Sequence, residues 1–213
     1  MNEMNTVSAW VTDRFSRAEL FEKLGIDFCC KGNKTLKEAC EENALCTDDV
    51  MNKLKTWDRG CQATECSSME ADELCDHIEK THHAYLKRML PLISAHLEKI
   101  VNAHGEKYFE LKKTFALFVE EIESHMKEEE ELVFPAIRCR EAQSHQFFGK
   151  LEEEHRLAGA LLASMRKLTN NFTPSPQACM TLKTAWAELE EIESDMHRHV
   201  YKENYLLFPL VTN

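Results

Sequence analysis

Glycine and proline are scarce in this chain of 213 residues, at six and five, and runs of β-branched residues are few. Strands and the tight turns that join them draw on those residues, so a mainly β architecture is excluded. Long apolar runs are missing too. No stretch approaches the roughly 18 residues of a membrane span, and the start, MNEMNTVSAWVTDRF, has no basic segment leading into an apolar one. A cytoplasmic protein with no membrane partner is expected. Basic excess is also absent: the formal charge is −11 and the pI about 5.4. That balance argues against a general electrostatic grip on phosphate, so nucleic acid is not an expected partner. The nine cysteines are odd in number and unevenly spread, which points to reduced thiols rather than a disulfide framework.

What is present is helical periodicity, with apolar residues recurring at three and four spacings. Residues 1–56 form a small helical domain. In it SRAE (Ser16 to Glu19) and TLKE (Thr35 to Glu38) fit the capping-box pattern, Gly25 suits a helix stop, and GIDFCCKGNK is a loop. Residues 57–69 lack an apolar period and read as a linker. From 70 to 213 come four long helical patterns, near 70–103, 107–137, 141–170 and 175–208, with breaks at Gly105, at Arg138 to Arg140 and at FTPSP. Rods of about 30 residues are about 45 Å long. Joined by short turns, they imply an all-α, up-down-up-down four-helix bundle. Pro91 is expected to bend the first rod.

Residues 125–135 read HMKEEEELVFP, and HVYKENYLLFP repeats the same frame 74 residues further on. Only one glutamate of the first run survives in the second. The repeat therefore singles out Glu129 and Glu203, and leaves Glu128, Glu130 and Glu131 as a solvated charge run. At about 100° per residue, His125 and Glu129 share one helix face. That face is apolar: Leu111, Phe115, Phe118, Ile122, His125, Glu129, Leu132 and Ala136 follow heptad spacing. The last rod runs Leu182, Ala185, Leu189, Ile192, Met196, His199, Glu203, Leu206 and Leu210 in the same phase. The seams of the first and third rods each carry one histidine, His83 and His155. Buried carboxylate and imidazole are costly without internal partners. Two His–Glu couples could satisfy each other, but four core histidines are hard to explain as packing.

Imidazole with carboxylate suits iron, manganese or zinc. Six donors in two copies suggest two metals bridged by Glu129 and Glu203, with two histidines on each and a solvent-derived oxo or hydroxo bridge. One position per metal is then left for O2, NO or peroxide. A competing set follows the Glu-x-x-His spacing of EKTH (79–82) and EEEH (152–155): Glu79, His82, Glu129, Glu152, His155 and Glu203. The seams argue against it, because His82 and Glu152 lie one step off the apolar stripes. Glu79 shares the His83 stripe, as a residue that could orient an imidazole. His77, His96, His145 and His197 read as surface or helix-end positions.

The strings IDFCCKGNKTLKEAC (26–40), HIEKTHHAYLKRMLP (77–91), HMKEEEELVFP, EEEHRLAG (152–159), NNFTPSPQAC (170–179) and HVYKENYLLFP carry a resemblance. The C-terminal part resembles a hemerythrin-like di-iron bundle, and the whole chain is similar to the Repair of Iron Centres family. The resemblance implies iron ligands at His83, His125, Glu129, His155, His199 and Glu203, the set the seams reach separately. It implies restoration of iron-sulfur clusters after nitrosative or oxidative stress, by iron delivery or NO handling, with damaged iron-sulfur proteins as partners. His104 also matches a histidine position of the family. An NO or peroxide reductase, and an O2 or NO binder or sensor, stay open as alternatives, as does pairing of two chains into a homodimer through the cysteine module.

Cys29 and Cys30 are adjacent, so joint chelation of one metal is not expected, and a disulfide between them would be strained. One buried and one exposed thiol is the bland expectation. In the family context they read as redox or transfer thiols. Cys61 and Cys66 form too small a set for zinc, and Cys40, Cys46, Cys75, Cys139 and Cys179 carry no readable signal.

Overall fold

The computed structural model describes residues 1–60, 69–140 and 145–212. Cys61, Cys66 and most of the expected linker lie outside the described residues, as does the side chain of His145. Among the described residues the regular structure is helical, with no strand and one isolated bridge between Thr6 and Thr35. No described helix is long and apolar enough to cross a membrane. The chain divides into two units, Met1–Ala71 with His197–Leu210, and Asp72–Met196 with Val211–Asn213.

The first unit contains α1 (Val7–Asp13), α2 (Arg17–Leu24), α3 (Leu36–Glu42) and α4 (Thr47–Gly60). Thr35 and Glu38 close a reciprocal capping box, with each backbone N–H donating to the other side chain. Ser16 does not cap α2. Its backbone is already helical (φ −59°, ψ −19°), and a capping side chain reaches the first-turn amides only from an extended backbone. Thr6, extended at ψ 152°, caps α1 instead. Gly25 ends α2 at φ 69°, and the Ile26 N–H donates to the Phe21 carbonyl, a left-handed stop that favours glycine.

Arg17, buried on α2, ties this unit together. Its guanidinium donates to both Asp58 oxygens at 3.0 and 2.7 Å, to Asp13 at 2.6 Å and to the Trp10 carbonyl at 2.9 Å. Trp57 adds a bond from Nε1 to the Ser16 carbonyl at 3.0 Å. These contacts explain why α4 continues to Gly60, so that residues 57–60 are helix where the sequence reads as linker. The stabilising partners are polar and distant in sequence, and leave no apolar period.

The second unit carries the helical rods. The first is α5 (Ala71–Ile78), a wide π turn at Glu79–His83 and α6 (Ala84–His104), with Pro91 inside α6. Gly105 (φ 80°) ends it and a 3-10 turn at Glu106–Tyr108 leads into α7 (Phe109–Glu128), a π turn at Glu129–Val133 and α8 (Phe134–Arg138). The third rod is α9 (His145–Leu168), closed by three consecutive left-handed residues, Asn170, Asn171 and Phe172. The last is α10 (Met180–Lys202), a π turn at Glu203–Leu207 and α11 (Phe208–Val211), and this rod runs through both units. The seams of α6, α7, α9 and α10 are buried as the spacing predicts, from Leu86 to Ile100, Leu111 to Ile122, Phe148 to Met165 and Leu182 to Met196. Polar ties join the rods beside this core: His82 Nδ1 to Asp195 at 2.8 Å, His96 Nδ1 to Glu188 at 2.7 Å and Arg166 to Glu193. His96 is thus a partly buried tie between helices rather than a surface residue.

The Asp58 carboxyl lies below the usual carboxylate range because Arg17 hydrogen-bonds it, against the opposing effect of burial. A carboxyl lowered on folding stabilises the fold above its unfolded pKa of about 3.9, and that contribution is lost as pH falls through the folded value. Asp58→Asn is expected to cost about 2 kcal/mol at neutral pH, measured by urea unfolding. The gap between the variant and the parent protein should close below about pH 4.

Candidate metal centre

Three of the rods widen at the same level of their sequence pattern. The Ala84 N–H donates to the Glu79 carbonyl, Phe134 to Glu129 and Phe208 to Glu203, each an i→i+5 bond. Such a turn inserts one residue into the helical repeat. In the second and last rods the apolar seam therefore slips by one position beyond Glu129 and Glu203. Leu132 is 61 % exposed, while Val133 and Phe134 are buried. Likewise Leu210 is 57 % exposed and Leu206 half-buried, while Leu207 and Phe208 are buried. The expected seam positions 132, 136, 206 and 210 are corrected by this slip. The proline of each Phe-Pro follows directly, where a residue without an N–H is tolerated because regular pairing is already broken. Phe134 stacks on the His83 ring at 5.7 Å and 21°, which gives the Phe of the first copy a task.

Each of His83, His125, Glu129, His155, His199 and Glu203 is at most 3 % exposed. Donor atoms of His83, Glu129, His199 and Glu203 lie within 4.8 Å of one another, and so do those of His125, Glu129, His155 and Glu203. Both groups contain both glutamates. Glu129 faces two ways: Oε2 is 3.3 Å from His83 Nε2, and Oε1 is 3.3 Å from His125 Nε2. His155 Nε2 lies 3.0 Å from His125 Nε2, and His199 Nε2 lies 2.6 Å from Glu203 Oε1. The competing set does not assemble. Glu79 pairs with Arg138, Glu152 is exposed, and His82, though buried, is held by Asp195.

Two carboxylates that the sequence reading did not place at the site, Glu130 and Glu154, orient the imidazoles. Glu130 Oε1 lies 2.8 Å from His83 Nδ1, and Glu154 Oε2 lies 2.8 Å from His125 Nδ1. With Nδ1 donating its proton, Nε2 carries the lone pair, the tautomer a metal requires. Each carboxylate is backed by a lysine, Lys87 on Glu130 and Lys150 on Glu154, and Lys150 also grips Glu128. Burial pushes the Glu130 carboxyl up, but hydrogen bonds from Lys87 and His83 outweigh it and hold the group below the usual range. Hydrogen bonding from His125 does the same for Glu154. Glu130 and Glu128 are therefore not idle members of a solvated run. Their signal in the sequence is faint: a lysine one turn from His83 or Glu154 says nothing of the partner across the helices.

The thiol loop has its own frame within the first unit. Asp27 Oδ1 accepts the backbone N–H groups of Cys29, Cys30 and Lys31 at 3.1, 2.8 and 3.3 Å. Cys29 is buried and Cys30 half-buried, with sulfurs 3.8 Å apart. The hydrogen bond to Cys30 and burial push the Cys29 thiol well above its ordinary range. Donor atoms of Asp27, Cys29 and Cys30 also fall within 4.8 Å of one another, so adjacency does not keep the two sulfurs from a common point. Asn204 Nδ2 donates to the Cys29 carbonyl at 3.1 Å. A Cβ on Gly32 would stand 2.3 Å from the Phe28 carbonyl oxygen and 3.0 Å from the Tyr205 ring, which requires glycine there. Asn204 and Tyr205 directly follow Glu203.

The donor set fits a metal on its own chemistry. Six ionisable side chains at the centre of apolar seams, two of them imidazoles with Nε2 atoms 3.0 Å apart, are costly to bury unless a cation offsets them. Comparison with known proteins agrees with that chemistry. The family description "Hemerythrin HHE cation binding domain" matches residues 75–211, and "Domain of Unknown function (DUF542)" matches residues 3–58. The chain is 29 % identical over 213 residues to the iron-sulfur cluster repair protein ScdA of Staphylococcus haemolyticus, covering 95 % of each. It is 32 % identical over 196 residues to the iron-sulfur cluster repair protein YtfE of Escherichia coli O81, covering 89 % of this chain and 88 % of that one. The same protein of Escherichia fergusonii matches at the same identity and coverage.

Deleting Glu131, an exposed residue of the second π turn, removes the inserted position and returns that rod to regular α-helix. Helix content by circular dichroism should persist, since Val133 and Ile137 then fall on the heptad positions. Metal bound per chain should fall, because the turn that aims Glu129 is gone.

Proposed function

Because this chain belongs to the hemerythrin HHE cation binding family, we propose that it holds two irons and repairs damaged iron-sulfur clusters by supplying iron. One observation carries the reading: two groups of four buried donors share both of their carboxylates. A shared carboxylate can bridge, so His83 and His199 would hold one ion, His125 and His155 the other, with Glu129 and Glu203 between them. The names of the ScdA and YtfE relatives support repair as the task. Iron at such a site would supply a labile, redox-active ion with room for a small ligand.

The protein's own residues set how tightly those ions are kept. Glu130 and Glu154 fix the tautomer and direction of His83 and His125, and removing such a partner usually weakens a metal by about 10–100-fold. Apolar seam residues above and below exclude water. The thiol loop, fastened to Asn204 beside Glu203, is the exit we assign to departing iron, with Cys29 and Cys30 as transfer thiols and a damaged iron-sulfur protein as acceptor.

Iron analysis with Mössbauer spectroscopy should give two ions per chain; one ion, or zinc alone, would overturn the assignment. His83→Ala is expected to lose at least one ion, whereas His82→Ala should keep both, since His82 is engaged by Asp195. For the function itself, the iron-loaded protein is mixed with an NO-damaged ferredoxin. Cluster absorbance should return with stoichiometric loss of iron from this protein, and Cys29→Ser with Cys30→Ser should slow the transfer while leaving the initial iron content unchanged. Repeated consumption of NO or peroxide with an electron donor, without iron transfer, would instead assign a reductase. Ligand binding with neither would assign a sensor.

A further inference from the structure

A second pair of reactive side chains stands well away from the four-histidine centre. His104 is the last residue of α6, 21 residues beyond His83 and so about 30 Å along the rod. Its Nε2 lies 3.3 Å from Cys179 Sγ, a residue 75 positions later that directly precedes α10. Two helices therefore bring a thiol and an imidazole into hydrogen-bonding contact. The imidazole is also held from the side: its ring meets Tyr108 edge-on at 6.1 Å, and Tyr108 meets Trp186, which is buried, edge-on at 5.7 Å.

Both members of the pair are exposed, and Met180 beside Cys179 is 74 % exposed. The other described cysteines differ in one respect or the other. Cys29, Cys40 and Cys75 are buried. Cys46 and Cys139 are exposed, but among the described residues no imidazole lies within hydrogen-bonding distance of either. Cys30 is half-buried, and among the exposed described cysteines Cys179 alone has an imidazole beside it. A thiol so placed is an activated nucleophile in the general sense, because the base takes the proton as the sulfur attacks.

We propose that Cys179 and His104 form a thiol-exchange site that takes small, water-soluble disulfides. His104, with its proton on Nδ1, accepts the Cys179 proton at Nε2 while Sγ attacks one sulfur of the disulfide. The disulfide S–S bond breaks as the new one forms. The departing thiolate takes the proton back from Nε2 and leaves as a thiol. The Cys179 sulfur is oxidised and the departing sulfur reduced, so no further oxidant enters.

The test uses the full chain and oxidised glutathione, with the mixed disulfide followed at each cysteine by peptide mass spectrometry. Cys179 is expected to react about tenfold faster than Cys46 and Cys139, and His104→Gln should bring it down to their rate. His104 is exposed, so the variant's melting temperature and iron content should match those of the parent, which separates loss of the base from loss of the fold. Cys179→Ser should remove the fast phase and leave the slow ones. Equal rates at Cys179, Cys46 and Cys139, or a His104→Gln rate within about twofold of the parent, would overturn the proposal.

Discussion

The structure depends on the cost of placing four imidazoles and two carboxylates at the centre of apolar helix seams. His83, His199, Glu129 and Glu203 are fully buried, and His125 and His155 nearly so. An uncompensated group of this kind costs several kcal/mol, so the surrounding protein is arranged to make the cluster tolerable. The seams above and below it are apolar, mostly Leu, Ile and Phe with Ala158, Met165, Ala185 and Met196, and supply the burial free energy that keeps the rods together. In our reading two iron ions supply the missing positive charge at the centre.

Compensation also runs outward, from imidazole to carboxylate to lysine. His83 leads to Glu130 and Lys87, and His125 to Glu154 and Lys150. In each case a buried ring is joined to an exposed ammonium in two steps, and the carboxylate between them is only partly buried. This arrangement keeps Nδ1 protonated and Nε2 directed inward without burying a further uncompensated charge. The His82–Asp195 pair uses the same chemistry for a different end. It ties the first rod to α10 and leaves its histidine outside both donor groups.

The first unit adds a thiol loop built around a single aspartate oxygen. Three backbone N–H groups converge on Asp27, Gly32 permits close approach of Tyr205, and Asn204 holds the Cys29 carbonyl. The residues that grip this loop follow Glu203 directly in the chain. A change in the third π turn would thus be felt both by the shared carboxylate and by the thiols, a coupling that the proposed iron release would use.

Much of this protein was legible from spacing alone. The apolar period gave the rods, the repeat of HMKEEEELVFP in HVYKENYLLFP isolated Glu129 and Glu203 from their neighbours, and the seams picked His83 over His82. The six residues so chosen are the ones that the folded chain gathers. Other features had no mark in any one helix. Glu130 and Glu154 matter because of imidazoles on other helices, α4 lengthens because Arg17 and Ser16 hold its last turn, and Cys179 gains a base from 75 residues away. The π turns moved the seam beyond Glu129 and Glu203 by one residue, which a fixed period of 3.6 cannot anticipate. Periodicity records which side of a helix meets apolar neighbours; hydrogen bonds between helices, and the wide turns that aim a ligand, depend on neighbours that only folding brings within reach.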